Sequence, residues 1–260
     1  MKTRIITAII LLLIVVPPLY FGGIPFTILA FVANVLGTKE MLNLVNKEWS
    51  PVLTYSVHLL SLLMMYSNYL GLNYFILMEV ATIIYLGFWL VKDEKVTFEQ
   101  IGMIFMYLNI FSMMMAGIVT MYGYGNLFVF YMVIGTTFPD MFAYFVGRAI
   151  GKHKLNERIS PNKTIEGSIG GFVCGTIADV IYGILVLQRF YDIPLSFIII
   201  SALAMSFVGQ IGDLFYSAIK RHYGIKDFSN LFPGHGGVLD RLDSISFNSM
   251  LLFALIVVLL

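Results

Sequence analysis

Residues 195–243 read LSFIIISALAMSFVGQIGDLFYSAIKRHYGIKDFSNLFPGHGGVLDRLD. The first half is apolar enough to lie in hydrocarbon. From Gly209 the passage turns polar and glycine-bearing, and beyond Asp243 it becomes apolar again. Asp213, Ser217 and Lys220 recur at helical spacing, whereas Pro233-Gly234-His235-Gly236-Gly237 cannot continue a helix comfortably. Asp240 and Asp243 follow one turn apart at the start of the next apolar run, so carboxylates, cations and flexible backbone converge at one membrane edge.

The rest of the chain has the same grain. Of 260 residues, 59% are hydrophobic and 12% charged, against about 25% charged in a typical soluble domain. Long apolar blocks such as Ile5–Tyr20 and Tyr74–Val91 alternate with short polar joints, which predicts an all-α polytopic membrane protein. Nine spans are expected at about 5–21, 23–45, 51–66, 72–91, 101–121, 126–148, 167–189, 194–220 and 243–260. They form one membrane domain over 1–260, with N-terminal helices over 1–121 and the chemistry-bearing helices over 126–260. The basic start Met1-Lys2-Thr3-Arg4 and its apolar run lack a small-x-small cleavage site, so this segment reads as a retained first helix. The single cysteine, Cys174, excludes an internal disulfide and any multi-cysteine metal site, and the net charge of +1 says nothing about nucleic acid.

With a cytoplasmic N-terminus, all but Arg189 of the 16 basic residues fall on or near the inner side, Lys39, Lys47 and Lys92 among them. That bias predicts a polar cavity facing the cytoplasm, bounded by the two longest inner loops, Gly151–Glu166 and Arg221–Leu242.

Asp140 and Asp213 are ionisable groups inside spans, where such groups face a cavity, a partner or a substrate path. Asp140 shares a helix face with Tyr144 and Arg148, the last ~12 Å along the axis, and Asp213 shares one with Ser217 and Lys220. A nucleotide-bound Mg²⁺ needs one or two protein carboxylates besides phosphate oxygens and water, which Asp213 and Asp240 could supply from two helices. Glycines 234, 236 and 237 let backbone N–H groups approach an anion, and Lys220, Arg221, Lys226 and Arg241 add charge for a polyphosphate. His235 is placed to contact phosphate or shuttle a proton. In the other loop, Ser160-Pro161-Asn162-Lys163-Thr164 forms a turn into span seven, with Lys163 directed at phosphate. Glu79 and Asp179 lie in spans without polar company and read as structural. There is no GxxxxGK[ST] loop.

The 27 residues from Ser217 to Asp243, with Lys220-Arg221, Lys226-Asp227, Ser229, Phe232-Pro233-Gly234-His235-Gly236-Gly237-Val238 and Asp240-Arg241-Leu242-Asp243, closely resemble the signature of phosphatidate cytidylyltransferases, the CDP-diacylglycerol synthases. Asp140-x2-Ala143-Tyr144-x2-Gly147-Arg148-x2-Gly151-Lys152 and Ser160-Pro161-x-Lys163-Thr164-x-Glu166-Gly167 are similar to two further family motifs. The resemblance covers the C-terminal half in motifs and the N-terminal half only in hydropathy. Met141 and Phe142 stand where the family often has Thr-Gly, Tyr216 where many members carry an acid, and Ile165 where an aromatic is frequent.

The resemblance implies cytidylyl transfer from CTP to phosphatidic acid, giving CDP-diacylglycerol and pyrophosphate, with Mg²⁺ and an optional second metal ion as cofactor. Asp213, Asp240 and Asp243 are expected to hold the metal, with Lys220, Arg221, Arg241 and His235 beside them in the chemistry. Substrate contacts are expected from Asp140, Tyr144, Arg148, Ser160, Lys163, Thr164, Ser217, Lys226, Gly234, Gly236 and Gly237. The expected partners are CTP, phosphatidic acid, membrane lipid and a second copy of the chain in a homodimer, without nucleic acid, at a bacterial inner membrane. A CTP-dependent polyprenol or phytol kinase and a cation-coupled transporter are the competing expectations.

Overall fold

A computed structural model describes residues 2–45 and 48–260. Lys47, one of the basic residues used to orient the chain, lies outside the described residues. The helices are α1 (Lys2–Phe21), α2 (Gly23–Val45), α3 (Pro51–Leu70), α4 (Leu72–Lys92), α5 (Phe98–Tyr124) and α6 (Asn126–Ile150). They continue with α7 (Ile165–Phe190), α8 (Leu195–His222) and α9 (Leu239–Leu259). Seven of the described helices are long and apolar enough to cross a bilayer, and α1 and α3 carry the shorter apolar stretches Ile5–Phe21 and Pro51–Ser67. The chain is an all-α integral membrane protein.

Local chemistry sets the helix boundaries. Ser50 caps α3, its hydroxyl accepting from Leu53 N at 3.3 Å, with Pro51 at the first helical position. Gly71 and Gly125, with φ of 109° and 143°, reverse the chain between neighbouring helices where a side chain would be strained.

The chain divides into two compact units. One comprises 1–116 together with 227–240. Its helices α2, α3 and α5 are joined by polar contacts: Thr38 Oγ1 donates to Ser61 Oγ at 3.0 Å and meets Tyr107 Oη at 3.1 Å, while Ser61 Oγ donates to Asn34 Oδ1. Lipid supplies no hydrophobic drive between helices, so such bonds and close packing have to specify the bundle.

The other unit comprises 117–226 and 241–260. Its backbone is the α6–α7 pair, which approaches closely because Gly167, Gly171 and Gly175 face α6. A Cβ built on Gly171 would lie 2.5 Å from Pro139 O, and one on Gly175 2.4 Å from Pro139 Cγ. Pro139 has no N–H for the carbonyl four residues back. Asn248 Nδ2 reaches that carbonyl, Gly135 O, at 3.4 Å and also donates to Thr136 Oγ1 at 2.9 Å. The irregularity next to Asp140 is thereby supported from α9.

Between α6 and α7 the chain forms an antiparallel hairpin, β1 (Lys154–Asn156) with β2 (Ser160–Thr164), where the sequence reading expects only a turn. The element is too short for a periodic signal. Pro161 is tolerated because a two-stranded ribbon has only edges. α7 also contains a π-helical turn, Gly183–Leu187, and α9 starts at Leu239, earlier than the expected 243.

Candidate active site

The C-terminal unit contains a cavity of about 410 Å³. Asp140, Tyr144 and Arg148 of α6 line it, as do Asn162, Lys163 and Thr164 of the hairpin, Gly167 and Ser168 of α7, and Gln210 and Asp213 of α8. Asp140, Tyr144 and Arg148 stand on one face as the i, i+4, i+8 spacing predicts, and Arg148 Nη1 donates to Tyr144 Oη at 3.2 Å.

The hairpin brings Lys163 to α8. Thr164 ends β2 and caps α7, its hydroxyl accepting from Gly167 N at 3.1 Å. Glu166 folds back to accept from Lys152 N and His153 N at 3.1 and 3.2 Å, and from His153 Nδ1 at 2.6 Å. With its base fixed in this way, the strand directs Lys163 Nζ to Asp213 Oδ2, an ion pair whose side chains are 27% and 21% exposed. Ser217 Oγ donates to the other oxygen of Asp213 at 3.4 Å.

Other carboxylates surround this pair. Asp213 interacts electrostatically with Asp140 and with Asp243, and Asp140 with Asp243. The cations facing them are Lys163 at Asp140 and Lys220 at Asp243. Ser244 joins two of the acids, its N–H donating to Asp243 Oδ1 at 2.8 Å and its hydroxyl reaching Asp140 Oδ2 at 3.5 Å. Three like charges near one another raise the cost of leaving the site without a cation, while the nearby lysines lower it.

Arg221 is otherwise engaged. Its Nε donates to Ile159 O at 3.2 Å and its Nη1 to Ile225 O at 2.9 Å, which ties the end of α8 to the hairpin turn. Ser160 lies on β2 opposite Asn156, and Lys226 and Arg241 are exposed. Gln210 is a lining residue that the sequence reading misses: it accepts from Ser168 Oγ at 2.5 Å and donates to Ser206 O at 3.0 Å. A glutamine in a span, three residues before Asp213, was the available signal.

In the N-terminal unit, the glycine-bearing turn is a closed structure. Phe232 N donates to Gly236 O and His235 N to Phe232 O, both at 2.8 Å, and Gly234 and Gly236 each have a φ of 77° that disfavours a side chain. Asp240 is buried, and its Oδ2 accepts from Phe228 N at 2.8 Å and Gly237 N at 2.9 Å. Val238 N and Leu239 N donate to Glu40 of α2. The N–H groups of Gly237, Val238 and Leu239 therefore already serve carboxylates, and an anion at this turn has to find other donors.

Among the described residues, no three acidic, histidine or cysteine side chains stand close enough to hold a metal ion by themselves. The donors available in the C-terminal unit are the hard carboxylate oxygens of Asp140, Asp213 and Asp243. They suit a Mg²⁺ ion that keeps water and takes its remaining ligands from a substrate polyphosphate.

The sequence profile of the cytidylyltransferase family matches residues 2–259, which extends the likeness beyond the C-terminal motifs to the N-terminal helices. A phosphatidate cytidylyltransferase of Staphylococcus haemolyticus is 34% identical over 264 residues, covering 99% of both chains. One of Bacillus subtilis is 34% identical over 269 residues, covering 98% of this chain and 97% of its own. One of Staphylococcus epidermidis is 33% identical over 264 residues. Agreement along the whole length, on a helical membrane scaffold whose ionisable side chains line a cavity, shows that the chain belongs to the cytidylyltransferase family.

Proposed function

We propose that this protein transfers a cytidylyl group from CTP to phosphatidic acid, forming CDP-diacylglycerol and releasing pyrophosphate. The observation that supports this most directly is the cavity. Its acids, Asp140 and Asp213, and its cations, Lys163 and Arg148, line one cavity in a family whose relatives are phosphatidate cytidylyltransferases.

In this reading a phosphate oxygen of phosphatidic acid forms a bond to the α-phosphorus of CTP, and the bond from that phosphorus to the oxygen bridging to the β-phosphate breaks. Catalysis of this kind consists mainly of positioning and charge stabilisation. Lys163 and Arg148 bind and orient phosphate oxygens from two sides of the cavity. Tyr144, which accepts from Arg148 Nη1, orients the guanidinium. Asp213, with Asp243, would hold Mg²⁺, which when bound neutralises charge on the attacking and leaving oxygens. Lys163 has to share or release Asp213 for this, an exchange open to a flexible ammonium. Asp140 orders the acid side of the cavity through Ser244. The positive-inside bias supports a cytoplasmic cavity and N-terminus in a bacterial inner membrane.

The test is to incubate purified protein with phosphatidic acid, α-labelled CTP and Mg²⁺. Label is expected in the lipid fraction, and chelation by EDTA is expected to abolish the transfer, with Mg²⁺ restoring it. Label recovered only as water-soluble CDP would overturn the reading in favour of a lipid kinase. Full activity in EDTA would remove the metal from it.

A further inference from the structure

Gln210 lies on α8 one turn before Asp213, and both side chains line the cavity of the C-terminal unit. The residue is 9% exposed. Its Nε2 donates to Ser206 O at 3.0 Å and to Ser168 O at 3.3 Å, while its Oε1 accepts from Ser168 Oγ at 2.5 Å. Ser168, on α7, lines the cavity as well.

These bonds fix which end of the amide is which. Both neighbours of Nε2 are main-chain carbonyl oxygens, which only accept, so turning the amide over would set its oxygen against two acceptors. A primary amide has two N–H donors and two lone pairs on its oxygen. Both donors and one lone pair are engaged, which leaves Gln210 a single unused capacity, an acceptor on Oε1 beside Ser168 Oγ. Other neutral groups of the lining offer no such fixed choice. The Thr164 hydroxyl serves as the cap of α7, and Asn162 is exposed, where an amide can turn either end to a ligand.

The lining therefore combines two chemistries. Asp140, Arg148, Lys163 and Asp213 are charged and suit phosphate and metal, whereas Ser168 and Gln210 are neutral and held in place. A nucleotide presents both kinds of group. Cytosine carries the N4 amino group, a donor, where uracil carries O4, an acceptor. A fixed acceptor pairs with the first and repels the second.

We propose that Gln210, held by Ser168, selects the base: its Oε1 accepts from the N4 amino group of CTP. This inference rests on the cytidylyl-transfer reading and adds base specificity to it. Gln210 takes no part in making or breaking the phosphate bonds.

The test compares kcat/KM for α-labelled CTP, UTP and the 2-pyrimidinone analogue of CTP, in which hydrogen replaces the N4 amino group. Full-length wild-type protein, Gln210→Met and Ser168→Ala are assayed with phosphatidic acid, with a thermal melt to confirm folding. Wild-type protein is expected to prefer CTP to the analogue by about tenfold to a hundredfold, the effect of leaving a buried acceptor unpaired. Gln210→Met keeps the length of the side chain without the acceptor. It should use CTP and the analogue equally well, and it should lose most of the discrimination against UTP. Ser168→Ala frees Oε1 from its anchor and should lower the preference for CTP by less, about twofold to fivefold.

Wild-type protein that uses the analogue as well as CTP would overturn the proposal without any variant. So would folded Gln210→Met that loses activity toward CTP and the analogue by one common factor, the result expected of a side chain that only packs. If wild-type protein puts no label into lipid from any nucleotide, the transfer reading itself fails. If it labels lipid from CTP and Gln210→Met still discriminates as wild type does, the base assignment alone fails.

Discussion

Asp213→Asn changes one charge in the cavity and leaves the volume of the side chain nearly unchanged. Asp213 pairs with Lys163 through Oδ2 and accepts from Ser217 through Oδ1 at 3.4 Å, and about a fifth of its side chain is exposed. Unit charges about 4 Å apart at an effective dielectric near 20 interact by about 4 kcal/mol, and about 1.4 kcal/mol is tenfold in rate. If Asp213 meets a cation or phosphate charge mainly in the transition state, the substitution should lower turnover on the order of a thousandfold. A double-mutant cycle with Lys163→Met separates this from loss of the ion pair. Were Asp213 only an anchor for Lys163, the two single variants would lose equally and the double variant no more. With a role of its own, Asp213→Asn should lose more than Lys163→Met, and Lys163→Met should need less Mg²⁺ for half-maximal activity because the ammonium no longer competes for Oδ2. The assay is transfer of label from α-labelled CTP into lipid, with a thermal melt to confirm folding. Folded Asp213→Asn protein within tenfold of wild-type turnover would refute the assignment.

Two further predictions concern the scaffold of the cavity. Gly171→Ala would place a methyl group 2.5 Å from Pro139 O and 2.8 Å from Ala143 Cβ, so α6 and α7 must separate. It should destabilise by about 1–3 kcal/mol, seen as a lower melting temperature in detergent, and an unchanged melt would contradict the close packing. Thr164→Ala removes the cap of α7 beside Lys163 and should cost about 1 kcal/mol, whereas Thr164→Ser should retain most of it. Equal melts for the two Thr164 variants would show that the hydroxyl does not cap.

The membrane class and most helices could be read from the sequence because hydropathy is a local sum over about 20 residues. The face shared by Asp140, Tyr144 and Arg148 was legible for the same reason, since helical spacing is local too. The hairpin at 154–164 was not, because strands of three and five residues carry no usable period. The Gly167, Gly171 and Gly175 row was visible as letters, but its meaning depends on Pro139 and Ala143 of another helix. The roles of Gln210 and Glu40 are not legible in the sequence, because each comes from a partner remote in the chain.

That distinction bears on the carboxylates themselves. At the membrane edge Asp213, Asp240 and Asp243 have equal standing as letters, and all three were expected to hold metal. Their bonds differ. Oδ2 of Asp240 receives two backbone N–H groups, and both oxygens of Glu40 receive at least one, so moving either acid would disturb the main chain of the turn. The partners of Asp213 are the side chains of Lys163 and Ser217, which can rotate away without moving the backbone. An acid that is to exchange a resting partner for a bound cation needs partners that can leave. By that criterion Asp213 is the acid suited to the chemistry, and Asp240 and Glu40 are suited to preserving the shape of the loop. Asp240→Asn should therefore accelerate amide exchange at Phe228 and Gly237, an effect that Asp213→Asn should not produce; equal exchange in the two variants would sink the division.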